Sequence, residues 1–182
     1  MIKRKTVKKL LSTMLCIIII ASYFVSLNAF AAEKTGITGG CMWELDGTVL
    51  TISSNVDGGG RMYDFDKSTA PWGKDVSKVI IKSNVKNISA FAFSKCKNLK
   101  SITISDSVVS ISDLAFQDCG SLESITVDKR NSVYHSKGNC LIKTKTKELI
   151  VGCNNSRIPS NGTVTRIADG AFRLSLIHIS EP

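Results

Sequence analysis

Two histidines and six cysteines, among 182 residues, are the side chains on which nucleophilic or metal chemistry would have to rest. His135 lies in a polar stretch, and nothing in the spacing places it between a carboxylate and a nucleophile as a Ser-His-Asp or Cys-His mechanism requires. It reads as a solvated loop histidine, and His178 falls in a terminal run that carries no information. The cysteines form no C-x-x-C pair and no Cys/His cluster, which argues against zinc. Gly58-Gly59-Gly60 raises the question of a phosphate cradle but lacks the G-x-x-x-x-G-K-[ST] spacing and a strand-to-helix context. Asp57, Asp64 and Asp66 are candidate calcium oxygens without the EF-hand pattern and its closing glutamate, so a solvated loop is the expectation for residues 55–73. No local motif supports the paired carboxylates of a glycosidase. The chain is therefore expected to have no catalytic residues, no cofactor and no metal.

Composition points outside the cell. Lys3, Arg4, Lys5, Lys8 and Lys9 precede a largely apolar run over residues 10–27, and Ala29-Phe30-Ala31 is a small-x-small signal. Residues 1–31 thus read as a signal peptide cleaved after Ala31, with an uncleaved N-terminal anchor as the structural alternative. Cleavage removes Cys16, five of the 24 basic residues and none of the 15 acidic ones, leaving +4. That modest charge does not make a nucleic-acid protein, and the membrane enters only through the signal peptide. Of the remaining cysteines, Cys96 and Cys119 occupy equivalent positions and should stack as small buried thiols. Cys140 and Cys153 bracket a hairpin and are the better disulfide candidates, subject to geometry.

The elements that would position any site repeat every 23 residues. Val79, Ile81, Val85, Ile88, Ala92, Phe93, Cys96 and Leu99 recur as Ile102, Ile104, Val108, Ile111, Ala115, Phe116, Cys119 and Leu122. A third copy opens with Ile125 and Val127, and its closing half returns as Val164, Ile167, Ala171 and Phe172. A fixed period of this size means stacked units, each covering its neighbour's apolar face. The expected fold is a β-rich solenoid of about four repeats. Alternating residues at 78–82, 101–105 and 124–128 give one strand per repeat, stacked as a parallel ladder, with a short helical turn or helix at 88–99 and 111–122 on the opposite side.

Residues 32–40 read as a flexible linker. Residues 41–75 form an N-terminal cap: strand, Asp46-Gly47 turn, strand, then a loop in which Trp72 and Tyr63 cover the end of the core. The repeats occupy 76–173, interrupted at about 129–157 by a polar, turn-rich stretch and a hairpin whose tip carries Lys143, Lys145 and Lys147. This basic tip is either a contact for an anionic polymer such as teichoic acid or a host glycan, or charge that keeps an exposed edge from pairing.

The phrases VVSISDLAFQDCGSLESITV, NISAFAFSKCKNLKSITI and RIADGAF resemble the BspA-type leucine-rich repeats of bacterial surface proteins, with their A-F-x-x-C-x-x-L-x-x-I signature. MWELDGTVLTIS followed by APW resembles the segment that often precedes such repeats, and the insertion resembles an interrupted repeat. The resemblance covers about residues 41–172. It implies a leucine-rich-repeat solenoid, secreted or on the cell surface, with adhesion or protein binding as the usual role. Residues 174–182 resemble translated adaptor read-through, so the natural protein is expected to be longer.

The first functional expectation is a noncatalytic, monomeric module that binds an extracellular protein or glycan. The candidate face is the outward side of the strand ladder: Lys78, Ile80, Lys82, Ser101, Thr103, Ser105, Ser124, Thr126 and Asp128. Beneath it, Ile88, Ala92, Phe93, Cys96, Leu99, Ile111, Ala115, Phe116, Cys119, Leu122, Ile167 and Phe172 form the repeat core. The alternatives are a structural spacer of the envelope and the accessory repeats of an exported hydrolase.

Overall fold

The computed structural model describes residues 34–66 and 70–173; the expected signal peptide of residues 1–31 and the tail after residue 173 lie outside them. Alternation of apolar and polar residues builds the main sheet. Its strands are β1 (Lys34–Thr38), β2 (Cys41–Asp46), β3 (Val49–Ser54), β4 (Lys78–Ile81), then, after the two-residue β5 (Asn87–Ile88), β6 (Ser101–Ile104), and after β7 (Ser110–Ile111), β8 (Ser124–Val127). The order is β1-β2-β3-β4-β6-β8, antiparallel through β3 and parallel beyond it. Gly47, at a φ of 56°, makes the tight β2–β3 turn. Val79 lies beside Ile102 and Ile102 beside Ile125, so the 23-residue period is the register of the parallel sheet.

Residues 34–38, expected to be flexible, form β1 instead. The short β-branched run pairs along β2 from Lys34 opposite Leu45 to Thr38 opposite Cys41, satisfying an edge that would otherwise face water. Trp72 is buried as expected and donates its indole N–H to the Ala92 carbonyl at 2.9 Å, whereas Tyr63 is 71% exposed and covers nothing. The glycine run is partly a packing device. Gly60 is buried, and a Cβ there would strike the Gly40 carbonyl oxygen, while its own N–H donates to Asn84 at 2.8 Å and its carbonyl accepts from Lys86.

The second half of each repeat departs from expectation: among the described residues no helix forms there. Phe91, Lys95 and Asp118 hold φ near +60° (56°, 62° and 61°), which stops a helix from propagating. The chain instead makes successive tight turns, closed by bonds such as Cys96 N–H on the Phe93 carbonyl at 3.1 Å. Other donors go to the next repeat, with Phe93 N–H on the Ala115 carbonyl at 2.8 Å and Lys95 N–H on Gln117 at 2.7 Å. These turns carry a column of rings in which Trp72 lies 5.9 Å from Phe93, and Phe93 stacks on Phe116 at 5.5 Å. Ala92, Phe93, Leu99 and Ala115 are fully buried, and Leu122 and Phe116 are nearly so.

The insertion is more ordered than its polar composition suggests. It contains β9 (Tyr134–Lys137), β10 (Cys140–Lys143) and β11 (Glu148–Val151), joined by β12 (Arg166–Ile167) in the order β12-β11-β10-β9. The stretch expected to be turns thus supplies β9, antiparallel to β10. A second small core gathers Cys140, Ile142, Leu149 and Ala171, with Val164, Ala168 and Phe172 against it. Ile167, assigned to the repeat core, is instead 50% exposed, and Phe172 is half-buried, because β12 pairs with β11 of the insertion rather than with β7 of the preceding repeat.

All five described cysteines are buried free thiols, so the structure contains no Cys140–Cys153 bridge. The Cys119 thiol donates to the Phe93 carbonyl at 2.9 Å, and the Cys153 thiol to Asn139 at 3.4 Å. Burial pushes the Cys41 and Cys96 thiols up to about 11 from an ordinary 9.0.

Two outcomes follow from this core. Phe93→Ala removes the middle ring of the column and should lower unfolding free energy by about 3–5 kcal/mol in urea titration. The folded state binds the Cys41 and Cys96 protons more tightly than the unfolded chain does, so their contribution is complete below pH 9.0 and is lost as pH rises toward about 11. Urea midpoints should decline across that window, less steeply in Cys96→Ala.

Candidate binding face

The strand register assembles the outward side chains in rows. Lys78, Ser101 and Ser124 are aligned neighbours, and this row continues through Val49 to Asp46. Ile80, Thr103 and Thr126 form the next row, which runs on through Thr51 and Glu44 to Thr35 on β1. The candidate face is therefore longer than the repeats alone would make it. Thr35, Glu44 and Thr51 were missed because the cap was read as a cover, although the same period-two alternation runs through β2 and β3. Lys78, Lys82, Thr103 and Thr126 are exposed, and Ile80, Ser101, Ser124 and Asp128 are half-buried.

Ser105 does not belong to this face: it is only 7% exposed. β6 ends at Ile104, so strand alternation no longer governs the next residue. The Ser105 hydroxyl turns inward and donates to the Lys82 carbonyl of the preceding repeat at 2.9 Å, and Ser107 does the same to Val85. Asn131 continues the stitching one repeat further on. Its amide donates to the Ser105 and Val108 carbonyls at 2.9 Å each, and its oxygen accepts from the Val133 and Tyr134 N–H groups. The sequence marked Asn131 only as part of a polar stretch.

At the C-terminal ends of the parallel strands the face deepens into an open concavity of about 870 Å³. Lys82, Thr103, Ser105, Thr126 and Asp128 line it, and the loop carrying Val56 and Asp57 forms one wall. Lys78, Ile80, Ser101 and Ser124, at the other ends of the strands, lie outside it. Arg130 sets the charge at the far side. It makes two side-chain contacts with Asp128, at 3.2 and 3.1 Å, and a third with Asp106 at 3.4 Å. The Arg130 side chain and backbone N–H hold the Asp128 carboxyl below the usual carboxylate range. What the concavity offers is a mixture of hydroxyls, amides and both signs of charge, suited to noncovalent recognition.

The other residues that sequence singled out do not meet here. The His135 ring lies 3.0 Å from the Thr144 hydroxyl in the insertion, and burial together with Lys137 lowers its pKa. Asp64 accepts the Ala90 N–H at 3.0 Å and so pins the loop to the repeats. Among the described residues no group of three or more His, Cys, Asp or Glu side chains is placed to hold a metal ion.

A parallel strand ladder with one register step per 23 residues, inward aliphatic rows and an outward polar face defines a leucine-rich-repeat protein. Residues 72–173 match the family described as BspA type leucine rich repeat region (6 copies), and the chain belongs to that family. The fold is similar to a leucine-rich repeat protein from Eubacterium ventriosum at 20% identity, over 79% of this chain and 58% of that one, with a TM-score of 0.35. It is also similar to the pneumococcal vaccine antigen PcpA at 10% identity, over 76% of this chain and 62% of that one, with a TM-score of 0.37. The chain thus spans about three-fifths of the length of these solved structures. No curated protein matches it.

The Asp128–Arg130 contact is open to direct titration. In Arg130→Gln the Asp128 carboxyl should move up toward the ordinary carboxylate value, read from its side-chain NMR shift against pH. An unchanged midpoint would show that the pair does not persist in solution.

Proposed function

We propose that this protein is a noncatalytic binding module displayed outside the cell, secreted or held at the surface, and that it engages an extracellular protein or glycan. The observation that carries this reading is the outward strand face with its open concavity. The strands present rows of mostly Thr, Ser, Lys and Glu side chains with Val49 and Ile80 among them, and the concavity is walled by Asp57 and Val56 on one side and ends at Asp128 on the other. Val56 is 48% exposed and gives the wall an apolar contact point among polar ones. Exposed side chains on a stacked ladder are free of packing constraints, so the face can be shaped to a partner without disturbing the core. The signal-like N-terminus and membership of the BspA-type family support display outside the cell.

Thr103 and Thr126 are register partners that line the concavity of this face, both exposed. The double variant Thr103→Glu/Thr126→Glu should lower affinity about tenfold or more for whichever ligands the wild-type protein captures on an array of immobilised extracellular glycoproteins and glycans. Two carboxylates set side by side cost about 1 kcal/mol at most, so the thermal midpoint should stay close to that of wild type. Ser110→Glu, on the separate β5–β7 sheet, is the matched control. Equal binding by the double variant and the control removes the face from consideration.

A further inference from the structure

The basic charge of the chain is unevenly placed. Residues 34–128 carry ten basic and eleven acidic side chains, whereas residues 129–173 carry nine basic and only two acidic. Part of that excess gathers at one end of the insertion. Residues 143–147, which join β10 to β11, are all exposed and include Lys143, Lys145 and Lys147. Arg166 is drawn beside them, because its N–H and that of Thr165 both donate to the Lys147 carbonyl, at 3.3 and 2.9 Å. Glu148 is one of the two carboxylates in the region, and Arg166 already engages it at 3.9 Å.

Guarding a sheet edge does not account for these lysines. β10 lies between β9 and β11, and β11 between β10 and β12, so the hairpin they close has both strands paired on both sides. On the side nearer the repeats, the Ser136 hydroxyl of β9 accepts the Val127 N–H of β8 at 3.0 Å. The tip is a cluster of cations at one end of the sheet, on the last residue of β10, the turn after it and the start of β12, rather than a shield along an open border.

We propose that this tip is a docking site for a linear polymer of polyols joined by phosphodiesters. Three of the four cations are lysines, whose compact ammonium groups bind phosphate as point charges without demanding the planar fork geometry that favours arginine on carboxylates. Exposed hydroxyls of Thr146 and Thr165 lie among them as additional donors to phosphate oxygens. Between Tyr134, which is buried, and Phe172 there is no Phe, Tyr or Trp, and the one ring beside the tip, His135, is half-buried against Thr144. The tip therefore presents no exposed Phe, Tyr or Trp platform for a sugar ring or a nucleobase. Charge and hydroxyl donors without a stacking platform fit a flexible polyol phosphate better than a polysaccharide or a single-stranded nucleic acid. The tip is separate from the strand face, so this inference does not rest on that reading.

The test titrates the protein with poly(glycerol phosphate) over a range of salt concentrations and repeats the titration with hyaluronate, a carboxylate polymer. Engagement of four cations predicts a log K against log salt slope of about −3, falling to about −1 in Lys143→Gln/Lys145→Gln/Lys147→Gln with at least about a tenfold loss of affinity at low salt. The control Lys95→Gln/Lys97→Gln/Lys100→Gln removes the same charge from exposed repeat positions and should bind as wild type does. Circular dichroism melts of both triple variants establish that each is folded. Absence of binding, equal losses in the two triple variants, or hyaluronate bound as tightly as the polyol phosphate would each overturn the proposal.

Discussion

Each inward side chain of one repeat rests on the side chain 23 residues away, and the rest of the molecule follows from that register. Val79, Ile102 and Ile125 form one aliphatic row, Ile81, Ile104 and Val127 another, while Trp72, Phe93 and Phe116 stack as rings on the far side. None of these units could bury its own apolar face, since a four-residue strand and one turn have no interior. Stacking supplies the interior and also part of the backbone bonding, because the turns bond from repeat to repeat, as Phe93 does to Ala115, as well as within themselves, as Cys96 does to Phe93. Burial and hydrogen bonding therefore select the same offset, and a slip by one residue would lose both.

A stack closed by neighbours has two ends at which neighbours run out, and most of the non-repeating sequence is spent there. On the main sheet, β1 and β2 extend the strand ladder beyond the first repeat. On the smaller β5–β7 sheet the cover is made by side chains. Asn87 bonds both the N–H and the carbonyl of Met62, at 2.7 and 3.2 Å, as an adjoining strand would. At the opposite edge the Tyr134 hydroxyl accepts the Ile111 N–H at 3.1 Å. β9 is thus tied to the stack by Tyr134 and Ser136, and the insertion serves as a partial cap as well as an interruption.

How much of this was legible depends on what each residue faces. Phe93, Cys96 and Leu99 announced themselves because apolar character repeated at fixed spacing has one common cause, a shared interior. The cap hairpin was legible from Asp46-Gly47 for a local reason, the positive φ of its turn. β1 was not, because Lys34–Thr38 is mostly exposed and becomes a strand only through its pairing with β2. The helical reading of residues 88–99 failed for a related reason. Apolar spacings of three and four suit a run of tight turns broken by left-handed residues such as Lys95 as well as a continuous helix, and sequence periodicity reports burial rather than backbone conformation. Ile167 failed because it lies in the same local pattern as Ile88 and Ile111 but pairs with a different strand.

The candidate site is less legible than the fold because the two draw on opposite faces of the same strands. Inward positions are constrained by an identical neighbour on each side, so they repeat and can be read. Outward positions touch only solvent or a partner, so Ile80, Thr103 and Thr126 share a row without sharing a chemistry. Ser105 shows how sharp the division is: one residue past the end of β6, a side chain of the outward type turns in and becomes a structural donor to Lys82. The insertion escapes the repeat register, although Tyr134, Leu141, Val151 and Cys153 join the main core, and at its tip a dense positive charge accumulates without disturbing that register. Periodic sequence therefore specifies the scaffold, and the departures from it, in the outward rows and in the hairpin tip, are where partner recognition has room to reside.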